Sequence, residues 1–96
     1  MDRRQIGLKL SLDHLGLDFK VDSFEDRLIL QKAICLAQAA GVKLGYYYGW
    51  YLHGPYCPAL ARDAYSVKGE LDAKNDESTG WSLSAESQAC LEKVRP

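Results

Sequence analysis

The chain has no surplus of positive charge, no paired cysteine motif, no long apolar run and no low-complexity tract. Each absence removes a class of function. Twelve Lys/Arg stand against thirteen Asp/Glu in 96 residues, a formal net charge of −1, so the molecule as a whole offers no cationic footprint for nucleic acid. What basic bias exists is local: residues 1–62 carry eight Lys/Arg against six Asp/Glu, and residues 63–96 carry four against seven. The three cysteines, Cys35, Cys57 and Cys90, form an odd set without C-x-x-C or Cys/His ligand spacing, which argues against a zinc frame or a disulfide scaffold. No metal and no cofactor are expected. No stretch approaches the roughly 20 apolar residues of a membrane span. The opening "MDRRQIGLKLSL" is basic, but its apolar positions are interrupted and no small-residue cleavage site follows, so no secretory leader is expected. These features describe a reduced, cytoplasmic chain with free thiols and no membrane.

What remains is the composition of a small globular domain, 47% hydrophobic and 26% charged, with length for a single core spanning residues 1–96. A chain this size folds alone only marginally, and oligomerisation is an ordinary way to bury more apolar surface.

The residues from Asp2 to Leu17 fit two periods. Ile6, Leu8, Leu10 and Leu12 alternate as in a strand, whereas Leu8, Leu12 and Leu15 form a helical stripe. Leu, Lys, Arg and Gln favour helix and no β-branched run opposes it, so a helix ending near Gly16 is predicted. After the connector "DFKVD", Ser23 stands as N-cap with Asp26 at N3, close to the capping-box pattern. The helix it starts, "FEDRLILQKAICLAQAA", should stop at Gly41. Its only polar stripes hold Arg27, Gln31 and Gln38 on one line and Glu25 and Lys32 on the other, so it is read as a central helix touched on two sides. Arg27, Gln31 and Lys32 should be hydrogen-bonded to the backbone or tyrosine hydroxyls of the next segment, with a polar ligand-binding pocket as the alternative.

That segment, "GYYYGWYLHGPYCP", packs five of the six tyrosines and one of the two tryptophans into Gly45–Pro58. It reads as one strand with Tyr46, Tyr48, Trp50 and Leu52 on one face and Tyr47, Gly49, Tyr51 and His53 on the other, ended by the turn "HGPY". Pro58 suits the first position of a helix, "PALARDAYSVKGEL", burying Leu60, Ala64 and Val67, with Leu71 a further candidate at i+11, and closing at Gly69. Ala59, Arg62, Asp63 and Ser66 should face outward. "GELDAKNDESTGWSL" then predicts a β-hairpin, with strands at Glu70–Ala73 and Trp81–Leu83. Ser84 caps a last helix, "AESQACLEKV", which buries Leu91, Val94 and one of Ala89 or Cys90. The expected fold is a small α+β, winged-helix-like domain in the order helix, helix, strand, helix, hairpin wing, helix.

Two resemblances follow from these stretches. "GPYCPALARDAYSVKGEL" resembles the recognition-helix region of padR-type and marR-type winged-helix regulators. "GWSLSAESQACLEKV" resembles the segment after their wing, with Ser84 where Thr is usual and Ser87 where Gly is usual. Over residues 24–67 the chain is more closely similar to small prokaryotic YwgA-like proteins, with Leu30-Gln31-Lys32 on a helix followed by Gly54-Pro55-Tyr56. It is more distantly similar to the SocA/Panacea antitoxin domain. Cys57 stands where Ser is usual, which weakens the helix cap by about 1 kcal/mol. The resemblance implies a place in regulation or phage-related defence.

The functional candidates rank as follows. First comes a non-enzymatic protein-interaction or regulatory module, antitoxin-like or defence-associated. Its partner or second copy would meet Tyr47, Trp50, Tyr51, His53 and Tyr56, because tyrosine and tryptophan suit partly wet interfaces. The Tyr47–Tyr51 face is expected to be the open one, with Gly49 leaving a flat gap between the rings. The runner-up is a dimeric DNA-binding regulator using Arg62, Ser66, Lys68 and Lys74. Against it, Cys57–Leu83 holds three basic residues and five acidic ones, a poor match to phosphate. Stacking on single-stranded nucleic acid ranks lower, since His53 is the sole titratable cation in the aromatic stretch. A His53/Cys57 thiol–imidazole pair ranks last, because no orienting group or oxyanion site accompanies it. The chain is not expected to be an enzyme.

Overall fold

The computed structural model describes residues 1–52 and 54–95. Among them, four helices enclose the core and one two-stranded antiparallel hairpin projects from it, an α+β arrangement compatible with a small winged-helix-like domain. The helices are α1 (Arg3–His14), α2 (Phe24–Ala39), α3 (Pro58–Asp72) and α4 (Ala85–Val94). The strands are β1 (Gly49–Tyr51) and β2 (Gly54–Tyr56).

The helix ends follow from local chemistry. Asp2 and Gln5 form a reciprocal capping box on α1, and Ser23 and Asp26 form another on α2, each satisfying two orphan N–H groups. Both helices close in a Schellman arrangement. Leu17 N–H reaches the Leu12 carbonyl and Val42 N–H reaches that of Ala37, with Gly16 (φ +74°) and Gly41 (φ +117°) in the left-handed position between. The helix chosen for the first segment and the central helix are therefore both observed. Along α2, Leu30, Gln31, Ile34 and Ala37 are buried. This helix packs against α1, α3, α4 and β2.

Two apolar clusters flank α2. The larger joins Leu8, Leu12, Leu30, Ile34, Leu60 and Val67 with Tyr46 and Cys57. The smaller joins Leu15, Ala37, Val42 and Leu91 under α4. Of the pair expected to be buried on α4, Cys90 is partly covered and Ala89 exposed.

Three expectations are corrected. The aromatic stretch is not one strand. Residues 46–48 have no regular structure, β1 spans three residues, and "GPY" is the return strand β2 rather than a terminating turn. The register pairs Gly49 with Tyr56, Trp50 with Pro55 and Tyr51 with Gly54. The hairpin thus precedes α3 instead of following it.

The wing expected over Glu70–Ala73 and Trp81–Leu83 does not form, because α3 runs through Gly69 to Asp72. Glycine costs a helix interior only about 1 kcal/mol, and Leu71 continues the stripe of Leu60, Ala64 and Val67 and packs on the larger cluster. Lys74, in the left-handed region at φ +59°, ends the helix instead. The loop beyond it is tied back to α1 by the Met1 ammonium on Glu77, by Lys9 near Asp76 (3.9 Å) and by Arg3 over the Trp81 ring (5.9 Å).

The third correction concerns Asp63. It does not face outward; it is 8% exposed and lies against α1.

Candidate functional site

Segment 46–57 leaves the helical body and returns to it, and a glutamine of α2 holds each end. Gln38 Nε2 donates to the Tyr46 carbonyl (2.8 Å), and Tyr46 N–H donates to Gln38 Oε1 (2.9 Å). Gln31 repeats the arrangement at Cys57, with 3.0 Å in each direction. Each carboxamide acts as a short piece of strand and satisfies a backbone donor and acceptor together. The two glutamines lie seven residues apart, two turns on one face of the helix. Tyr48 adds a third tie, its hydroxyl donating to the Gln31 backbone carbonyl (3.0 Å). The two halves of the quoted sequence pattern, Leu30-Gln31-Lys32 and Gly54-Pro55-Tyr56, are thus joined by one contact, since Cys57 directly follows Tyr56.

Asp63 secures the inner end. Its carboxylate accepts from the Tyr46 hydroxyl (2.8 Å), Arg4 Nε (3.0 Å) and Gln5 Nε2 (3.1 Å), and the Arg4 guanidinium lies over the Tyr46 ring at 4.7 Å. A buried carboxylate requires such pairing. Burial and the bond to Asp63 push the Tyr46 hydroxyl well above the usual phenol range. Burial, with Cys35 and Cys57 nearby, pushes the Tyr48 hydroxyl up as well.

Beyond these ties the rings turn outward. Tyr47 is 90% exposed, Trp50 86% and Leu52 93%. Tyr51 and Tyr56 are also exposed and meet edge-to-face with centroids 5.4 Å apart. The flat gap expected at Gly49 is filled from within, because a Cβ there would lie 3.0 Å from the Tyr51 ring. The separation of faces fails too. Tyr46 and Tyr48 go inward whereas Trp50 and Leu52, expected beside them, go outward. An apolar groove of about 390 Å³ runs beside the hairpin, lined among others by Phe24, Leu28, Leu52, Tyr56 and Tyr65.

The other candidates are placed as follows. His53 lies outside the described residues. Cys57 is buried and gives α3 no side-chain cap. Arg62 and Ser66 are exposed on α3, Lys68 pairs with Asp72 at 3.0 Å, and Lys74 sits past the helix end. With the wing absent, no strand brings Lys74 beside Arg62. Arg27 donates to the carbonyls of Val21 and Asp22 rather than to the aromatic segment, and Lys32 is exposed.

Sequence reasoning missed Gln38 as a clamp, Asp63 as an anchor, and the groove residues Phe24 and Tyr65. The seven-residue spacing of Gln31 and Gln38 on an apolar helix was the signal for the first. Asp63 falls at i+3 of the buried Leu60, Ala64 and Val67 stripe, which was the signal for the second.

All three cysteines are free thiols. Among the described residues no group of three or more His, Cys, Asp or Glu could hold a metal ion, and no helix is long and apolar enough to cross a membrane. Comparison with protein-family models, with curated proteins and with solved structures finds no match to this chain.

Proposed function

We propose that this chain is a non-enzymatic interaction module of a regulatory kind, which meets a protein partner through the aromatic hairpin Gly49–Tyr56. The observation that carries the reading is an uncharged aromatic ribbon with one strand laid on α2, the other open, and both ends clamped to the helical body. Monomeric proteins rarely leave apolar patches of several hundred Å² contiguous and open. The exposed parts of Tyr47, Trp50, Tyr51, Leu52 and Tyr56, with Phe24 and Tyr65 at the groove, total on the order of 1,000 Å². That is enough to cover the ~800 Å² one partner contributes to a standard interface. A rigid mount keeps the ordering cost of such a contact low. The antitoxin-like or defence-associated setting is supported by the sequence resemblance alone, and a cytoplasmic location by the three unpaired cysteines.

The runner-up, DNA binding by α3, is favoured by Arg62 and Ser66 lying exposed on one helix. It is weakened by the Lys68–Asp72 pair and by the missing wing. One experiment separates the two. A photo-crosslinking residue at Tyr47 should give a protein adduct in the native host, whereas one at Arg62 should not. A salt-sensitive mobility shift lost in Arg62→Ala, without an adduct from Tyr47, reverses the order.

A further inference from the structure

We infer that the partner of the hairpin is a second copy of this chain, joined through the open edge of β1 about a twofold axis at Trp50. This rests on the reading of the hairpin as a contact surface and names its occupant. The two edges of the ribbon differ. Strand β2 packs on α2, whereas among the described residues β1 packs on β2 and on no helix. Trp50 stands directly opposite Pro55. Proline has no N–H, so this pair cannot exchange the two bonds of a narrow antiparallel pair, and the ladder bonds belong to Gly49–Tyr56 and Tyr51–Gly54. It follows that the N–H and carbonyl of Trp50 point away from β2, out of the open edge. The matching position on β2 is blunted by proline, a common defence of an exposed edge. One edge is closed and the other is not.

An edge whose central residue offers both a donor and an acceptor is complementary to itself. Two copies of β1 set antiparallel with Trp50 opposite Trp50 exchange two backbone bonds, the isologous arrangement of a twofold dimer. The result is a four-stranded sheet, β2-β1-β1-β2. A lone two-stranded ribbon of three-residue strands is marginal in water, and added strands supply what it lacks. Charge allows the approach, because Gly45–Pro58 contains no Asp, Glu, Lys or Arg. Near a twofold axis each charge meets its own like, and the strand set on the axis has none to repel. The exposed area of one hairpin and its groove also suits one side of a standard interface.

Sedimentation equilibrium on the full chain tests the proposal, with Trp50→Pro as the decisive variant. Proline at 50 removes the outward N–H and no ladder bond within the hairpin. Wild type should be dimeric at tens of micromolar, and Trp50→Pro should weaken the dimer at least tenfold with the helical circular dichroism unchanged. On the wild type itself, hydrogen exchange at the Trp50 amide should slow as concentration rises. A chain that stays monomeric to the highest attainable concentration overturns the inference. So does a dimer that survives Trp50→Pro, or a Trp50 amide that exchanges freely at every concentration. The wider reading fails separately. A monomer whose Tyr47 crosslinks a different polypeptide refutes self-pairing and keeps the surface, whereas a monomer without any adduct refutes both.

Discussion

Tyr46 and Tyr48 on one side and Tyr47, Trp50 and Tyr51 on the other come from the same six-residue run, yet their fates are opposite. The first two are drawn into the body, and the other three stand in solvent. Ring chemistry does not separate them; the difference lies in what waits beneath. Tyr46 finds Asp63 for its hydroxyl and Gln38 for its backbone, and Tyr48 finds the Gln31 carbonyl. A tyrosine can be buried where its polar end is satisfied. Polar groups on the helices therefore decide which aromatics form the core and which form a surface.

The comparison breaks most severely at Asp63. Asp63→Ala leaves the Tyr46 hydroxyl and Arg4 without their acceptor and should cost about 3 kcal/mol in chemical denaturation. Gln31→Ala removes both bonds at the outer end of the segment and strands a buried Cys57 N–H, an expected loss of about 2 kcal/mol. Trp50 should show the contrast. At protein concentrations low enough for a monomer, Trp50→Ala should change stability by less than about 0.5 kcal/mol, while reducing association measured by sedimentation.

Alkaline pH probes the same division with less force. Tyr46 and Tyr48 are held above the ordinary phenol value in the folded chain. The unfolded chain thus gives up these protons first, and stability is intact below about pH 10 and declines as pH rises beyond it. Denaturation midpoints measured across that range should fall. Tyr46→Phe and Tyr48→Phe should each remove absorbance change from the late, high-pH part of the phenolate titration and flatten the decline.

Much of the frame is legible in the sequence. Ser23 and Asp26 mark the start of α2 and Gly41 marks its end, because capping chemistry is local and short-ranged. Pro58 marks the start of α3 for the same reason. The hairpin escaped because only two residues separate Tyr51 from Gly54, and the turn lies inside what reads as a continuous aromatic strand. The expected wing failed because a weak local stop at Gly69 competed with tertiary burial of Leu71 and lost. Asp63 was misplaced for a related reason. Its charge suggested solvent, while its position on the stripe pointed inward, and position prevailed once Arg4, Gln5 and Tyr46 came from elsewhere in the chain. Partners distant in sequence are what a local pattern does not contain.

The paired carboxamides on α2 also bear on how this protein can change over generations. They grip main chain at Tyr46 and Cys57, so their hold is indifferent to which side chains lie between. Substitutions or small insertions near the ribbon tip would leave the socket intact and the helices uninformed. Such a scaffold can retain its architecture while its exposed aromatic surface drifts toward new shapes, and by the same property it suits the grafting of foreign loops.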